Sequence, residues 1–269
     1  MTSSLDAPAS PLAVRPSTVP RIIGRAVLRV VLFWWLATGL LVATQRDSVT
    51  RGVALALALG LGLLGCRLTW VSRDDESPRG AQLAFIGAAF LWILVQTTFY
   101  GGWLVGPELP IPASAGPSPR LALLAIAATG FNAMAAAAAF GWTVAVHGRN
   151  PVGWYTLGAF WGADQLAKLN VFLGVANPGT HFLPDRLSFL IAYFGPQRNS
   201  ALLPVSVLLL AGLAWWLFRR AVRTTDAFAR EGNALLAALL ALAALEHLLL
   251  GLSVQLPLWD PVLRARGAV

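Results

Sequence analysis

The chain has 269 residues, of which 57% are hydrophobic and 12% are charged, whereas soluble domains carry about 25% charged residues. So little polar sequence excludes a separate soluble domain, and the long apolar runs predict an all-α, polytopic integral membrane protein. The net charge of +8 comes from arginines in loops and at the ends of the apolar runs, where they orient the protein and contact lipid headgroups rather than nucleic acid.

The apolar runs predict about seven transmembrane helices. Residues 1–20 are rich in proline, serine and alanine, and we expect a disordered tail there. Residues 21–269 are expected to form a single transmembrane helical domain. Its first run lacks a small-residue cleavage site, which favours an anchor helix over a cleaved signal peptide. The predicted helices lie near 27–43, 52–70, 81–105, 121–146, 153–175, 201–218 and 233–256.

The distribution of arginines predicts the orientation of the chain in the membrane. Seven spans place the two termini on opposite sides, with twelve arginines on the N-terminal side and seven on the other. This excess predicts a cytoplasmic N-terminus. The long connection 176–200 is then a periplasmic loop.

Within this loop we expect a short interfacial helix that starts at Pro184, with its aromatic side chains toward lipid. Its apolar face would hold Leu187, Leu190, Ile191 and Phe194.

The predicted fifth span carries an unusual set of polar residues, namely Asp164, the only lysine, Lys168, and Asn170. Ionisable groups inside a bilayer cost roughly 2.5–3.5 kcal/mol each on insertion scales. Asp164 and Lys168 are four residues apart, so they can reach each other across one helical turn. The pair is either a structural ion pair that fixes helix packing or part of a ligand or partner site.

The predicted last span carries Glu246 and His247 near its middle. Adjacent residues point about 100° apart around a helix. Each side chain either hydrogen-bonds to a neighbouring helix, or Glu246 faces Lys168 and joins Asp164 in one buried network. His247 is also a candidate ligand to a magnesium ion, as histidines are in chlorophyll-binding helices. The sequence contains no motif of a metal centre, a phosphate-binding loop or a nucleophilic enzyme.

Several segments in the second half of the chain share residues and spacing with a known family. They are Ala167-Lys-Leu-Asn-Val-Phe-Leu-Gly-Val175, Asn177, Phe182-Leu-Pro184, Leu187, Tyr193-Phe194, Asn199, Leu203-Pro-Val-Ser-Val207, Ala244-Leu-Glu-His247 and Leu258-Trp259. In these segments the chain resembles the photosynthetic complex assembly proteins of the PuhE type. Those proteins occur in purple bacteria and in other phototrophs that use related reaction centres.

The resemblance implies a membrane assembly factor for the photosynthetic reaction centre and its core light-harvesting antenna. Its expected partners are reaction-centre or core antenna polypeptides, together with the lipid bilayer. The family has no established reaction, so we expect no enzyme activity and carry over no active site. The candidate docking residues of the loop are Asn177, Pro184, Asn199 and Pro204. The alternative hypothesis is a membrane enzyme or carrier that acts on a bacteriochlorophyll precursor or a lipid.

The chain departs from the family pattern at two positions. Family members often carry an acidic residue in the third span and a His-Glu pair in the fourth, where this chain has Gln96 and Asn132. If the family's ionisable groups bind metal or move protons, this chain has lost that capacity. Uncharged amides still form hydrogen bonds between helices, which favours a structural or docking role.

Overall fold

The computed structural model describes residues 18–111, 118–253, 261, 263 and 264, and within these residues the chain is all-α. The predicted fold class is therefore confirmed. The elements, in chain order, are α1 (Thr18–Ala43), α2 (Ser48–Val71), α3 (Pro78–Tyr100), α4 (Pro119–Ala128), α5 (Gly130–Val146), α6 (Val152–Leu173), two 3₁₀ helices (Thr180–Phe182 and Asp185–Tyr193), α7 (Leu202–Arg223) and α8 (Ala227–Leu250).

The lengths and hydropathies of these helices show a multi-pass membrane protein. In the described part of the chain, α1, α2, α3, α7 and α8 are long and apolar enough to cross a membrane, and the bent pair α4–α5 adds a sixth span if it is counted as one. Polar residues lower the mean hydropathy of α6, so by this measure α6 is long enough but not apolar enough to count as a membrane span. The count of seven spans and the orientation therefore stay predictions.

One end of the bundle is held together by the side chain of Asn150, in the turn between α5 and α6. Its Nδ2 donates to the carbonyl oxygens of Ser72 at 3.0 Å, Asp75 at 3.3 Å and Gly80 at 3.0 Å. Its Oδ1 accepts the N–H of Val152 at 3.2 Å. This buried amide thus joins the start of α6 to the loop between α2 and α3.

The loop between α6 and α7 lies at the other end of the bundle, against the segment that follows α3. Arg186 donates to the carbonyl of Gly101 at 3.1 Å, and the hydroxyl of Tyr193 donates to the carbonyl of Leu109 at 2.5 Å. Because α6 begins beside Asn150 and ends at this loop, it runs between the same two ends as α3. Both ends of α6 are therefore fixed by contacts to α3 and its flanking loops.

The predicted helix 121–146 is two helices, α4 and α5, which meet at 64°. At the bend, the N–H of Asn132 donates to the carbonyl of Val105 at 3.1 Å instead of to the helical turn before it. The linker that follows α3 thereby inserts into the hydrogen-bond ladder, which is a known cause of helix kinks. Gly106 lies against the backbone of Gly130 at this point, so a side chain would not fit there.

The first and last helices begin earlier than predicted. α1 begins at Thr18, inside the segment 1–20 expected to be a disordered tail, and the rest of that tail lies outside the described residues. α8 begins at Ala227 because Asp226 caps it and accepts two N–H groups of the first turn at 3.0 and 3.3 Å. It ends at Leu250, and the end of the predicted 233–256 helix falls outside the described residues.

The helix in the α6–α7 loop differs from the expected interfacial helix. It is a 3₁₀ helix, so its buried face repeats every third residue, at Leu187, Leu190 and Tyr193. The expectation that Ile191 shares this face is wrong, because its side chain is 42% exposed. The buried face packs against α4, Phe99 and nearby residues rather than toward lipid.

The seven-span topology leads to a direct test of the two termini. A reporter fused after Val269 is expected to behave as periplasmic, and one inserted near Ser10 as cytoplasmic, because arginines concentrate on the N-terminal side. Alkaline phosphatase and green fluorescent protein fusions report the two locations. Finding both termini on one side would mean an even number of spans.

Candidate functional site

Five polar side chains from three helices meet inside the bundle, and one of them, Gln165 on α6, donates its Nε2 to Asp164 Oδ2 at 3.1 Å. Lys168 Nζ on α6 donates to Asp164 Oδ2 at 2.7 Å and to Asn132 Oδ1 on α5 at 2.5 Å. Asp164 Oδ1 accepts a hydrogen bond from Gln96 Nε2 on α3 at 3.4 Å. The side chains of Lys168 and Asp164 are only 11% and 17% exposed. The expected contact between Asp164 and Lys168 is therefore present and lies within a small network of amides.

The two positions that depart from the family pattern both belong to this network. Gln96 supplies a donor to the carboxylate, and Asn132 supplies an acceptor to the ammonium group. The ring of Phe99 lies 4.8 Å from Lys168 Nζ and adds a cation–π contact. The network contains one positive and one negative side chain, so its formal charges cancel.

Asn170 does not join the network, although it lies on the same helix. It is fully buried, and its Nδ2 donates to Ser206 Oγ on α7 at 2.9 Å and to the carbonyl of Leu166 at 2.8 Å. Its role in the structure is to hold α6 against α7. The sequence grouped Asn170 with Asp164 because the two residues are close in the chain, yet they contact different neighbours.

Glu246 binds a neighbouring helix and not Lys168. Its Oε1 accepts the indole N–H of Trp34 on α1 at 2.5 Å, and no ion pair between Glu246 and Lys168 occurs in the structure. Among the described residues, Oε2 has no hydrogen-bond partner. Of the two hypotheses drawn from the sequence, the separate hydrogen bond is the one found, and Trp34 was not foreseen as the partner.

His247 hydrogen-bonds within its own helix and not, as one hypothesis had it, to a neighbouring helix. Its Nδ1 lies 2.8 Å from the carbonyl of Ala243, and because a carbonyl only accepts, Nδ1 carries the proton. The lone pair is therefore on Nε2, which is buried and has no partner among the described residues. The whole residue is 2% exposed. His247 lines a cavity beside α8, but in this structure its Nε2 is covered by neighbouring atoms, so binding of bacteriochlorophyll at His247 stays a prediction.

A cavity of about 670 Å³ lies beside these groups, between α1, α2, α3, α6 and α8. Asp164, Lys168, Glu246, Gln96 and Tyr100 contribute polar groups to its wall, which is otherwise mostly apolar. Ligand pockets in proteins commonly have volumes of about 300–1,000 Å³. The sequence did not predict this cavity, because it depends on how far apart α1 and α2 lie.

The loop after α6 is fixed to the bundle at both of its ends. Gly174 leaves α6 with φ +121, a conformation that favours glycine. Asn199 Oδ1 accepts the N–H of Ala176 at 2.9 Å, and its Nδ2 donates to the carbonyl of Gly251 at 2.9 Å. Asn199 therefore connects the end of α6 to the end of α8, and these two hydrogen bonds give its side chain a structural role in holding the loop in place.

The other predicted docking residues also shape the loop. Pro184 is buried at the start of the 3₁₀ helix, Pro204 is exposed in the first turn of α7, and the N–H of Asn177 donates to the carbonyl of Leu250 at 2.9 Å. The exposed surface is formed mainly by other residues. The exposed positions of the loop are Thr180, Asp185, Arg186, Ser188, Ile191, Ala192, Gln197, Arg198 and Asn199.

Comparison with known proteins places the chain in a family. Residues 22–268 match the family described as "Protein of unknown function (DUF3623)". The chain belongs to the DUF3623 family. This DUF3623 protein is 33% identical over 232 residues to the "Uncharacterized 30.4 kDa protein in puhA 5'region" of Rhodobacter capsulatus. The match covers 82% of this chain and 83% of that protein. No solved structure shows a significant match.

An ion pair between α1 and α8 of this DUF3623 protein, with a buried carboxylate and a partly exposed arginine, was not predicted from the sequence. Arg29 Nη1 on α1 lies 2.7 Å from Glu231 Oε1 on α8, and Gln82 on α3 donates to the same oxygen at 2.8 Å. Glu231 lies before residue 233, where the predicted last span begins, so its carboxylate was not among the expected buried groups. The residue that could have indicated this pair is Arg29, because an arginine at the start of an apolar run is stabilised by an acidic side chain nearby.

Within the described residues, no group of three or more His, Cys, Asp or Glu side chains could hold a metal ion.

Proposed function

We propose that this DUF3623 protein is a membrane assembly factor of the PuhE type for the bacterial photosynthetic reaction centre and its core light-harvesting complex. It holds nascent reaction-centre or core antenna polypeptides through the α6–α7 loop and does not catalyse a reaction. Its place is the cytoplasmic or intracytoplasmic membrane, with this loop on the periplasmic side. The observation that carries the proposal is the fixed, exposed surface of the loop.

The relative from Rhodobacter capsulatus supports the photosynthetic context of this proposal. Its name places it in the puhA 5′ region, a photosynthesis-gene neighbourhood. The resemblance to PuhE-type proteins is densest in α6 and the loop that follows it, the same part of the chain that builds the proposed docking surface.

The geometry of the loop supports docking of a protein partner. Its inner face is buried, with Leu187 fully covered and Tyr193 2% exposed, while its outer face presents charged and apolar side chains. Hydrogen bonds from Arg186 and Asn199 fix the loop to the bundle. Exposed loops positioned by a rigid scaffold often carry recognition, and a pre-formed surface loses little entropy on binding.

The cavity favours a second candidate function. Its apolar walls and the carboxyl group of Glu246 are features of a binding site for an amphipathic molecule. A membrane enzyme or carrier that acts on a bacteriochlorophyll precursor or a lipid would use such a site. Turnover or transport by the purified protein alone would support this candidate over the assembly factor.

Reversing one charge on the loop is expected to weaken docking. Arg198 is exposed and its side chain makes no ion pair with a described residue, so Arg198→Glu leaves the fold intact while it changes the sign of the surface. Tagged protein is isolated from phototrophically grown cells, and co-purified reaction-centre and core antenna polypeptides are quantified. We expect the variant to retain less than about a third of them, because like charges across an interface are unfavourable.

Arg223→Glu is the matched control for this experiment. Arg223 is also exposed, but it lies at the end of α7 next to the opposite end of the bundle. Its charge reversal is expected to leave co-purification at the wild-type level. Equal recovery of the polypeptides with both variants would argue against docking through the loop.

A further inference from the structure

We propose that the cavity binds an uncharged amphipathic lipid with a flat, hydroxyl-bearing ring and a hydrocarbon tail, a molecule of the hydroquinone class. The lipid enters from the bilayer between α1 and α2 and places its ring beside Glu246. This binding site is additional to the docking surface on the loop. Neither site depends on the other, so each can fail its test separately.

The opening of the cavity faces the hydrocarbon region of the membrane. Leu40 on α1 and Leu57 on α2 both line the cavity, and each is 65% exposed. α1 packs against α8 and α2 packs against α3, whereas α1 and α2 make no extended contact with each other. The gap between α1 and α2 is therefore lined by exposed leucines and admits a molecule from lipid rather than from water.

Polar groups inside the cavity accept a hydroxyl group. Glu246 lines the cavity, is exposed to it, and keeps Oε2 without a hydrogen-bond partner among the described residues. The N–H of Trp34 on Oε1 fixes the orientation of this carboxyl group. Glu246 and Tyr100 both lie within the last five residues of their helices, α8 and α3, on the side of the α6–α7 loop. A ligand hydroxyl at this depth would satisfy the open oxygen, and its tail would extend toward lipid.

The charges around the cavity disfavour an anionic lipid, although His181 and His247 also line it. Lys168 is the only lysine, and its ammonium group is already bound by Asp164 and Asn132. Glu246, the other acidic side chain of the cavity wall, offers no positive charge to an anionic ligand. The anionic head of a fatty acid or a phospholipid would therefore lie beside acidic side chains, with no unpaired lysine to act as its counterion. An uncharged head with hydroxyl donors is the chemistry that these walls favour.

The shape of the wall favours a flat ring. Phe160 stacks on Trp92 with centroids 5.6 Å apart and an angle of 10° between the rings. Phe33 continues this wall with its centroid 6.1 Å from that of Phe160. All three rings line the cavity. Aromatic walls pack well against a planar ligand in stacked or edge-to-face arrangements. These three rings, with the side chains of Trp34 and Tyr100, make the cavity wall more suitable for a planar ring than for two acyl chains.

Binding of decylhydroquinone to the purified full-length protein tests this proposal. Protein in detergent micelles is titrated calorimetrically, with empty micelles as the background. We expect saturable binding with one site per chain for decylhydroquinone and none for octadecanoate. Leu57→Trp, which fills the opening, should abolish binding. Glu246→Gln should weaken binding about tenfold, because the amide oxygen stays on the Trp34 N–H and the NH2 group, which only donates, replaces the open oxygen that accepts the ligand hydroxyl.

Leu63→Trp provides the matched control for the opening. Leu63 also lies on α2 and is 74% exposed, but it does not line the cavity, so this variant should bind like the wild type. Glutamine still accepts the Trp34 indole N–H, so Glu246→Gln keeps the contact between α1 and α8. Non-saturable binding of decylhydroquinone to the wild type, or equal binding of octadecanoate, would overturn the proposal. So would unchanged binding in Leu57→Trp. A tetrapyrrole that occupies the cavity in the purified protein would overturn it as well. Loss of polypeptide docking in Arg198→Glu with hydroquinone binding intact would show that the two sites are separate.

Discussion

Lys168→Met is expected to lower the free energy of unfolding by about 3–5 kcal/mol, the usual cost of removing one partner from a buried ion pair. The substitution leaves the Asp164 carboxylate without its counterion and the Asn132 carbonyl oxygen without its 2.5 Å donor. Methionine has nearly the same length as lysine, so packing changes little. Unfolding is followed by tryptophan fluorescence while sodium dodecyl sulfate is added to protein in mild detergent.

A second substitution separates the loss of the ion pair from the loss of packing. Asp164→Asn in the Lys168→Met protein removes the uncompensated charge and keeps an oxygen that can accept from Gln96. We expect the double variant to recover at least half of the lost stability. Equal loss in the single and double variants would show that Asp164 and Lys168 do not stabilise each other.

Asn150→Leu is expected to have an effect of similar size at the opposite end of the bundle. The substitution removes the donors to three backbone carbonyls, those of Ser72, Asp75 and Gly80, and the acceptor for the N–H of Val152. Each buried polar group left without a partner costs roughly 1–3 kcal/mol. Asn150 is 2% exposed, so water replaces few of these bonds. The same detergent titration measures the loss.

Asn233→Leu is the control for this prediction. Asn233 is partly buried on α8, and its side chain makes no hydrogen bond to a described residue, so the same chemical change should cost less than about 1 kcal/mol. If Asn150→Leu is as stable as Asn233→Leu, the amide of Asn150 does not hold the α2–α3 loop to α6.

The sequence predicted the features that depend on local pattern. Long apolar runs located α1, α2, α3, α6, α7 and α8, and gave the α4–α5 pair as a single helix, because crossing a bilayer needs about 20 apolar residues whatever the rest of the fold is. The four-residue spacing of Asp164 and Lys168 predicted their contact, because that spacing places two side chains on neighbouring turns. The helix ends were less accurate, since the polar cap of α8 at Asp226 lies outside the apolar run.

The features that were missed depend on contacts between distant parts of the chain. The 64° bend between α4 and α5 needs the carbonyl of Val105, which no local pattern marks as a partner of Asn132. The carboxyl group of Glu246 was expected to contact Lys168 or another helix, and its partner is Trp34, more than 200 residues away. The cavity likewise depends on the separation of α1 and α2. Such pairings are set by packing, and one sequence does not encode them in a recognisable form.

The most direct measurement of the proposed docking is photocrosslinking from the loop in living cells. A photoreactive benzoylphenylalanine is placed at Ile191, which is 42% exposed on the outer face of the 3₁₀ helix. The control places it at Val222, which is 44% exposed near the other end of the bundle. The account predicts crosslinks to reaction-centre or core antenna polypeptides from position 191 and none from position 222. No crosslink to these polypeptides from position 191, or equal crosslinking from both positions, would contradict it.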